Sequence, residues 1–315
     1  MTNMKEVAQA AGVSTITVSR VINTPEIVKE ETRNRILKVM SELQYQGNQA
    51  AKALVTKKTR VVHIFISQNI KLTNPFAMHF LAGVSDGLSE RHYSFLVRRE
   101  WDHPYKCDGI ITMSVTADQE NLIKEKFDVP VVLFGHSLPN YDWVDVDNYQ
   151  GAYEMVQYLI ALGHRDIGLI VINENRQFVS DRINGISKHV TTELLFYRSE
   201  LNLRKIKKTV TKRLNCLNER LRLCFAAMNW LSRIRAARLM KKNVPHDLSI
   251  AGFDGLGYER LTDPAITTVH QPVYQVGQEL AKVLVERMEQ PDTPLIHKMI
   301  TPELRKNKSV FKANH

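Results

Sequence analysis

The stretch that decides the fold is MKEVAQAAGVSTITVSRVIN, Met4 to Asn23. Met4, Val7, Ala8 and Ala11 recur at i, i+3, i+4 and i+7, the spacing of one apolar stripe along a helix. Gly12 follows, with a backbone free to turn tightly, and the Ser14 hydroxyl stands where it can cap a second helix. In that second helix Val18, Val21 and Ile22 point back to the first, so Ile16, Ser19, Arg20 and Asn23 face outward at the same helical spacing. Two short helices joined at a glycine turn, the second with a polar free face, read as a helix-turn-helix whose expected partner is a DNA major groove. The outward residues suit base edges. Arg20 offers a fork to guanine, Asn23 an amide to adenine or a phosphate, and Ile16 an apolar contact to a thymine methyl. Ser14, Thr15 and Thr17 sit at the helix start, where hydroxyls and free backbone N–H groups favour phosphates.

The residues that follow complete a small unit. Ile36, Val39, Met40 and Leu43 form another apolar stripe, opened by Lys29, Glu30, Glu31 and Thr32, so a third helix can close a core over the first two. With that helix in place the segment resembles the lactose/galactose repressor (LacI/GalR) family, on EVAQAAGVSTITVSRVIN and on the run SELQYQGNQAAKAL at the end of the third helix. The resemblance implies a homodimeric transcriptional regulator on a pseudo-palindromic operator, with a hinge helix over Asn48 to Leu54 that forms on DNA and enters the minor groove. Asn48, Ala51 and Leu54 are the hinge residues assigned to DNA. Ala51 and Leu54 are small or apolar enough to wedge into a base step. Gly47 stands where the family usually has proline, which raises the cost of ordering the approach to the hinge.

Composition agrees with a polyanion partner. The chain has 315 residues, enough for two or three folded units, and a formal net charge of +10. From Met1 to Arg60 ten basic residues face five acidic ones, so half of that excess falls in the proposed DNA-binding unit. Cys107, Cys216 and Cys224 are odd in number and lack C-x-x-C spacing, which indicates neither a disulfide framework nor a zinc site. No cofactor or metal is expected. The amino terminus opens on a helix pattern rather than a basic run and an apolar stretch, and no long uncharged apolar window occurs. A cytoplasmic protein, neither secreted nor membrane-spanning, is the expectation.

Beyond a basic link at Lys57 to Arg60, short apolar runs alternate with helical patterns. Strands are predicted at Val61 to Ile66, Tyr93 to Val97, Gly109 to Met113, Val129 to Phe134, Asp166 to Ile172 and Leu248 to Phe253. Helices are predicted at Phe76 to Glu90, Tyr149 to Leu162, Ser232 to Lys242 and Tyr274 to Met288. This alternation argues for parallel sheets covered by helices. The fold class is therefore an N-terminal all-α helix-turn-helix head plus an α/β two-lobed core. The runs VDVDNYQGAYEMVQYLIALGHRDIGLI, DRINGI, VPHDLSIAGFDG and LTDPAITTVHQPVYQVGQELAKVL resemble the effector-binding core of the same family. That resemblance implies two lobes of periplasmic-binding-protein type with a small molecule, a sugar or sugar phosphate, between them. The domain plan is a head at 1–46, a hinge and linker at 47–60 and the core at 61–310.

Ligands of open α/β sheets sit beyond the carboxyl ends of strands, which here brings Asn74, Phe76, Asp147, Arg182 and Asp254 forward as effector-binding candidates. Arg182 in DRINGI and Asp254 in GFDG match the family's ligand-contacting pattern. Carboxylates and a guanidinium grip vicinal hydroxyls, and Phe76 offers a face to a sugar ring.

Two stretches depart from the family. Between Val97 and Gly109 too few residues remain for a crossover helix, so Tyr93 to Val97 is expected to be a poorly covered edge strand (segment 98–108). From Lys188 to Arg222, within an atypical segment at 187–232, ten basic residues face three acidic ones, without glycine or proline to mark turns. Two readings stay open: a local reading-frame shift in the gene, or a basic insertion that adds nucleic-acid contact. A DNA binder with a degraded, non-sensing core is accordingly the alternative to an effector-controlled regulator. An enzyme is not expected, since G-x-S-x-G, H-E-x-x-H, the P-loop and a G-x-G-x-x-G after a strand are all absent. His136 and His164 read as hydrogen-bonded structural histidines.

Overall fold

The computed structural model describes residues 2–45, 58–101, 106–113, 115, 117–136, 138, 140–165, 167–172, 176–187, 195–199, 223–226 and 242–313. The chain divides into two compact units, Met1–Arg60 and Val61–His315.

In the first unit the helices are α1 (Met4–Ala10), α2 (Thr15–Asn23) and α3 (Glu30–Glu42), with a 3₁₀ turn at Pro25–Ile27. The α1 start is a capping box. Asn3 Oδ1 accepts from the Lys5 and Glu6 amides at 2.9 and 3.1 Å, and the Glu6 carboxylate accepts from the Asn3 amide at 3.1 Å. Gly12 lies at φ +64°, the left-handed conformation that the tight turn requires. The Ser14 hydroxyl accepts from the Thr17 amide at 3.2 Å, the cap expected from the sequence. Val7, Val18 and Ile36, one from each helix, are fully buried against one another's elements.

The second unit holds two six-stranded sheets. The first comprises β1 (Val61–Ile66), β2 (Ser94–Arg98), β3 (Gly109–Met113), β4 (Val131–Phe134) and β5 (Asp142–Val146) with a later strand, β11 (His297–Ile300). Its order is β11-β5-β4-β3-β1-β2, parallel throughout. The second comprises β6 (Ile167–Ile172), β7 (Leu195–Ser199), β8 (Leu223–Ala226), β9 (Ser249–Asp254), β10 (Thr267–His270) and β12 (Glu303–Arg305). Its order is β12-β10-β9-β8-β6-β7, parallel except for β12. Each sheet reverses strand order next to its first strand, which opens a crevice at the strand carboxyl ends. Chain crossings after Val146, His270 and Ile300 join the two lobes.

Helix α4 (Pro75–Ser89) and the C-terminal helix Val273–Glu289 pack together on the first sheet. Gly83 and Gly277 allow their backbones to meet, since a Cβ on Gly83 would collide with the Tyr274 carbonyl and one on Gly277 with that of Phe80. The other face of this sheet carries α5 (Ala117–Lys126) and a cluster around Phe65, Ile110 and Ile123. Two further helices, α6 (Asn148–Ala161) and α7 (Gln177–Ser187), lie side by side in the second lobe. We label the C-terminal helix α8. Among the described residues no helix is long and apolar enough to cross a membrane.

The fold class expected from the sequence is what the structure shows, with differences in detail. Strands β5 and β10 to β12 and helices α5 and α7 escaped the periodicity. Strand β5, DWVDV, carries two buried aspartates that break the apolar run. Strand β2 is an edge strand, as expected, and Trp101 covers part of the sheet beside it. Its ring stacks on Phe65 at 4.0 Å and lies 6.1 Å from Phe127. Within the atypical segment 187–232 the backbone forms β7 and β8, where no strand was predicted. The hinge segment Asn48 to Leu54 and most of the helix predicted over Ser232 to Lys242 lie outside the described residues.

Candidate functional site

On the head, α2 presents a mixed face. Ile16 is 63% exposed although it is large and apolar, Arg20 and Thr15 are exposed, and Thr17 and Ser19 are half-buried. Ser14 Oγ lies 2.9 Å from Thr17 Oγ1, so two hydroxyls cluster at the helix start beside its free amides. Asn23 is the last residue of α2. Of the hinge candidates, Asn48, Ala51 and Leu54 lie outside the described residues. An isoleucine and an arginine left in water on one short helix, over a core sealed on its other side, is the form of a reading helix.

In the second unit a cleft enclosing about 930 Å³, its open mouth included, lies between the lobes. Asn74, Phe76, Arg182 and Asp254 all line it. Asn74 is the N-cap of α4, its Oδ1 accepting from the Phe76 amide at 3.0 Å. That cap fixes the first turn, and the Phe76 ring stacks at 5.5 Å on Phe134 at the end of β4. Asp147 does not line the cleft. Its carboxylate caps α6 by accepting from the Gln150 amide at 2.8 Å.

Arg182, on α7, forms the centre of the second-lobe wall. Its Nε donates to Asn148 Oδ1 at 2.8 Å, its Nη2 lies 3.7 Å from Asp254 Oδ1, and its guanidinium sits 3.7 Å over the Phe253 ring. Burial lowers its pKa to about 10, so it remains a cation at neutral pH. Asp254 ends β9 at φ +87° and accepts from Gln271 Nε2 at 2.7 Å. Burial raises the Asp254 pKa, while Arg182 and then Gln271 pull it down. The left-handed backbone, which a non-glycine residue rarely adopts, turns this carboxylate into the cleft.

The first-lobe wall holds residues that the sequence did not bring forward. His136 follows β4 and Asp145 lies within β5, and Nδ1 of the histidine is 2.7 Å from Asp145 Oδ2. The other ring nitrogen, Nε2, is 3.4 Å from Asp181 Oδ2 on α7, so this histidine links carboxylates from both lobes. The Asp145 hydrogen bond raises the His136 pKa against the burial that lowers it, and burial raises that of Asp181. His136 was read as structural; it is indeed hydrogen-bonded, and it also faces the cleft. His164 is structural, buried with Nε2 2.9 Å from the Phe311 carbonyl. Asn148, the first residue of α6, and Gln271 add to the polar set, and the place of Asn148 directly after the Asp147 cap would have been its signal. The arrangement offers rigid donors, carboxylates and aromatic faces, which suit a polyhydroxyl ligand.

Comparisons with known proteins bear on both units. Residues 3–48 match the family described as bacterial regulatory proteins, lacI family, and residues 156–310 match the periplasmic binding protein-like domain. An uncharacterised HTH-type transcriptional regulator of Bacillus subtilis, YvdE, is 32% identical over 314 residues, spanning 96% of this chain and 98% of its own. The chain belongs to the LacI family. It is a DNA-binding transcriptional regulator, of a family whose members are not enzymes. The HTH-type transcriptional repressor PurR of Aliivibrio salmonicida is 27% identical, covering 99% of this chain and all of its own. Among solved structures, a CelR–cellobiose complex superposes with a TM-score of 0.71 at 25% identity, covering 98% of this chain and 100% of that one. A lac repressor dimer bound to operator and an anti-inducer superposes at 0.82, covering 98% and 99% at 20% identity, and there the likeness is one of fold.

Proposed function

We propose that the chain is a cytoplasmic, homodimeric repressor that reads a pseudo-palindromic operator with α2 and answers to a sugar or sugar phosphate held in the cleft. The observation that carries the effector half is the Arg182 constellation, a guanidinium held by Asn148, Phe253 and Asp254 opposite Phe76 and His136. Both lobes contribute walls, so a ligand that touches both gains contacts only when they approach. It therefore favours one arrangement of the lobes by its differential affinity for that arrangement. On this reading Ser14, Thr15, Ile16, Thr17, Ser19, Arg20 and Asn23 meet DNA in the major groove, while Asn48, Ala51 and Leu54 meet it at the hinge.

A dimer doubles the reading helix, and half-sites one or more helical turns apart follow from its symmetry. A change in lobe arrangement that alters hinge order changes operator affinity, with a coupling of about 1–3 kcal/mol in such switches. Footprinting on DNA upstream of the genes it controls, with and without a panel of sugars, tests both halves. Protection of a dyad-symmetric site, altered by one class of sugar, is expected. Protection that no sugar alters would leave a constitutive binder, and this reading of the cleft would be lost.

A further inference from the structure

The cleft does not end at Arg182. A second pocket opens beyond the carboxyl ends of β1, β2 and β3, and it shares Met113 and Arg176 with the first. Its lining differs in kind. The Asp254 arm is bordered by the carboxylates of Asp145 and Asp254, whereas no described residue lining the second arm is acidic and two, Arg99 and Arg176, are guanidinium cations. Arg99 is held by one nitrogen, Nη2 donating to the Ile70 carbonyl at 2.6 Å. Its Nη1 is buried and has no hydrogen-bond partner among the described residues. A buried, unspent guanidinium N–H is costly, and a ligand oxygen would satisfy it. The neighbouring Glu100 is exposed and does not line this arm, its Oε1 accepting from Gln68 Nε2 at 2.8 Å. Gln68, Asn69 and Thr112 add neutral polar groups to this arm, and Trp101 forms its floor beside Phe65.

We infer that the effector is two-ended, with hydroxyls gripped in the Asp254 and Arg182 arm and an anionic group, phosphate or carboxylate, seated between Arg99 and Arg176. The inference deepens the reading of the cleft as an effector site and rests on it. Arg176 also immediately precedes α7, whose first turn lines the first arm, so the positive end of that helix lies close to where the anion would sit. The junction at Met113 and Arg176 places the two ends of one ligand in adjacent pockets rather than in separate sites.

The experiment uses the intact protein and two kinds of probe. Inorganic phosphate, compared with chloride at equal ionic strength, tests the anion arm without any sugar. It should raise the melting temperature of the wild type, by preferential binding to the folded state, and should do so less in Arg99→Met. Titration calorimetry then compares neutral hexoses and disaccharides with their 6-phosphates and with the matching uronates. The anionic member of a pair should bind about tenfold or more tightly than its neutral parent, as one charge-assisted contact allows. In Arg99→Met that ratio should fall by about tenfold, and Arg99→Lys should restore part of it, which separates lost charge from a misfolded arm. A preference for phosphates over uronates, or the reverse, tells which anion the arm takes. Equal binding of neutral and anionic members, with a phosphate effect on melting as large in Arg99→Met as in the wild type, would overturn the inference while leaving the cleft a sugar site. Binding by no member of the panel, with a phosphate effect that does not depend on Arg99, would remove both.

Discussion

The head and the core solve recognition in opposite ways. In the head the residues proposed to read DNA in the major groove are neighbours on one nine-residue helix and its cap, and the face they form is complete once that helix exists. In the core Asn74, Asp145, Arg182, Asp254 and Gln271 come from distant parts of the chain, and only the closure of two sheets brings them to one cleft. A local surface survives or fails with a few side chains. A composite one depends on every element that aligns its walls, and on the proposed reading a ligand that touches both walls favours the arrangement it fits.

The largest effect expected from that difference lies far from any ligand. Arg287 on α8 donates to both oxygens of Asp142 on β5, at 2.7 and 2.9 Å, and also to the carbonyls of Pro291, Thr293 and Pro294. Arg287→Ala strands the buried Asp142 and should destabilise the core by about 3–5 kcal/mol, read as a lower denaturant midpoint of the core transition. If melting of the core were unchanged, the alignment of the first lobe would not rest on this pair.

Next comes the cleft itself. Arg182→Ala removes a cation that Asn148 and Asp254 both face, and effector affinity should drop by about tenfold to a hundredfold, a loss of one to two charge-assisted hydrogen bonds. Calorimetry with the active sugar measures it, and an affinity within about twofold of wild type would take Arg182 out of the site. Operator affinity without sugar should stay level, since the residue belongs to the core.

Arg20→Ala makes the complementary cut in the head. It should lower discrimination between operator and random duplex by about 1–3 kcal/mol while sparing sugar binding. A uniform loss on both duplexes, with a shallower salt dependence, would reassign Arg20 to phosphate contact.

The smallest expected effect is a pH dependence confined to the core. His136 is held above its ordinary value of 6.5 by Asp145, so its proton, and the attraction to Asp181 on the other lobe, is fully present below that value and lost as pH rises through the raised pKa. Asp181, with Asp145 and Asp147 near the same ring, must be ionised for the pair to act, so the window lies between the Asp181 and His136 titrations. Within it sugar affinity should stay level, and as pH rises through the His136 pKa it should weaken by about fivefold, near 1 kcal/mol for a partly buried pair. His136→Asn should flatten the profile, and an unaltered profile in that variant would assign the dependence elsewhere.

How legible each region was follows from the same contrast. The stripe at Met4, Val7, Ala8 and Ala11, the turn at Gly12 and the Ser14 cap are local physics, and the structure returns them almost residue for residue. Strand β5 was missed because its aspartates look like loop residues until Arg287 and His136, far along the chain or in another loop, supply their partners. Asp147 was brought forward for the cleft, but a carboxylate just before a helix is first a cap, and Asp145 two residues earlier takes the lining position. Arg99 carried no signal at all, since an arginine at a strand end reads as a solvated charge until its surroundings are known.

The most direct measurement selects duplexes from a random library with the intact protein and then titrates the winner against its scrambled sequence at moderate salt. The account predicts a dyad-symmetric site bound about a thousandfold or more tightly than the scramble, as specific regulators achieve. Equal affinity for the two duplexes would contradict it, because α2 would then be gripping phosphates without reading bases.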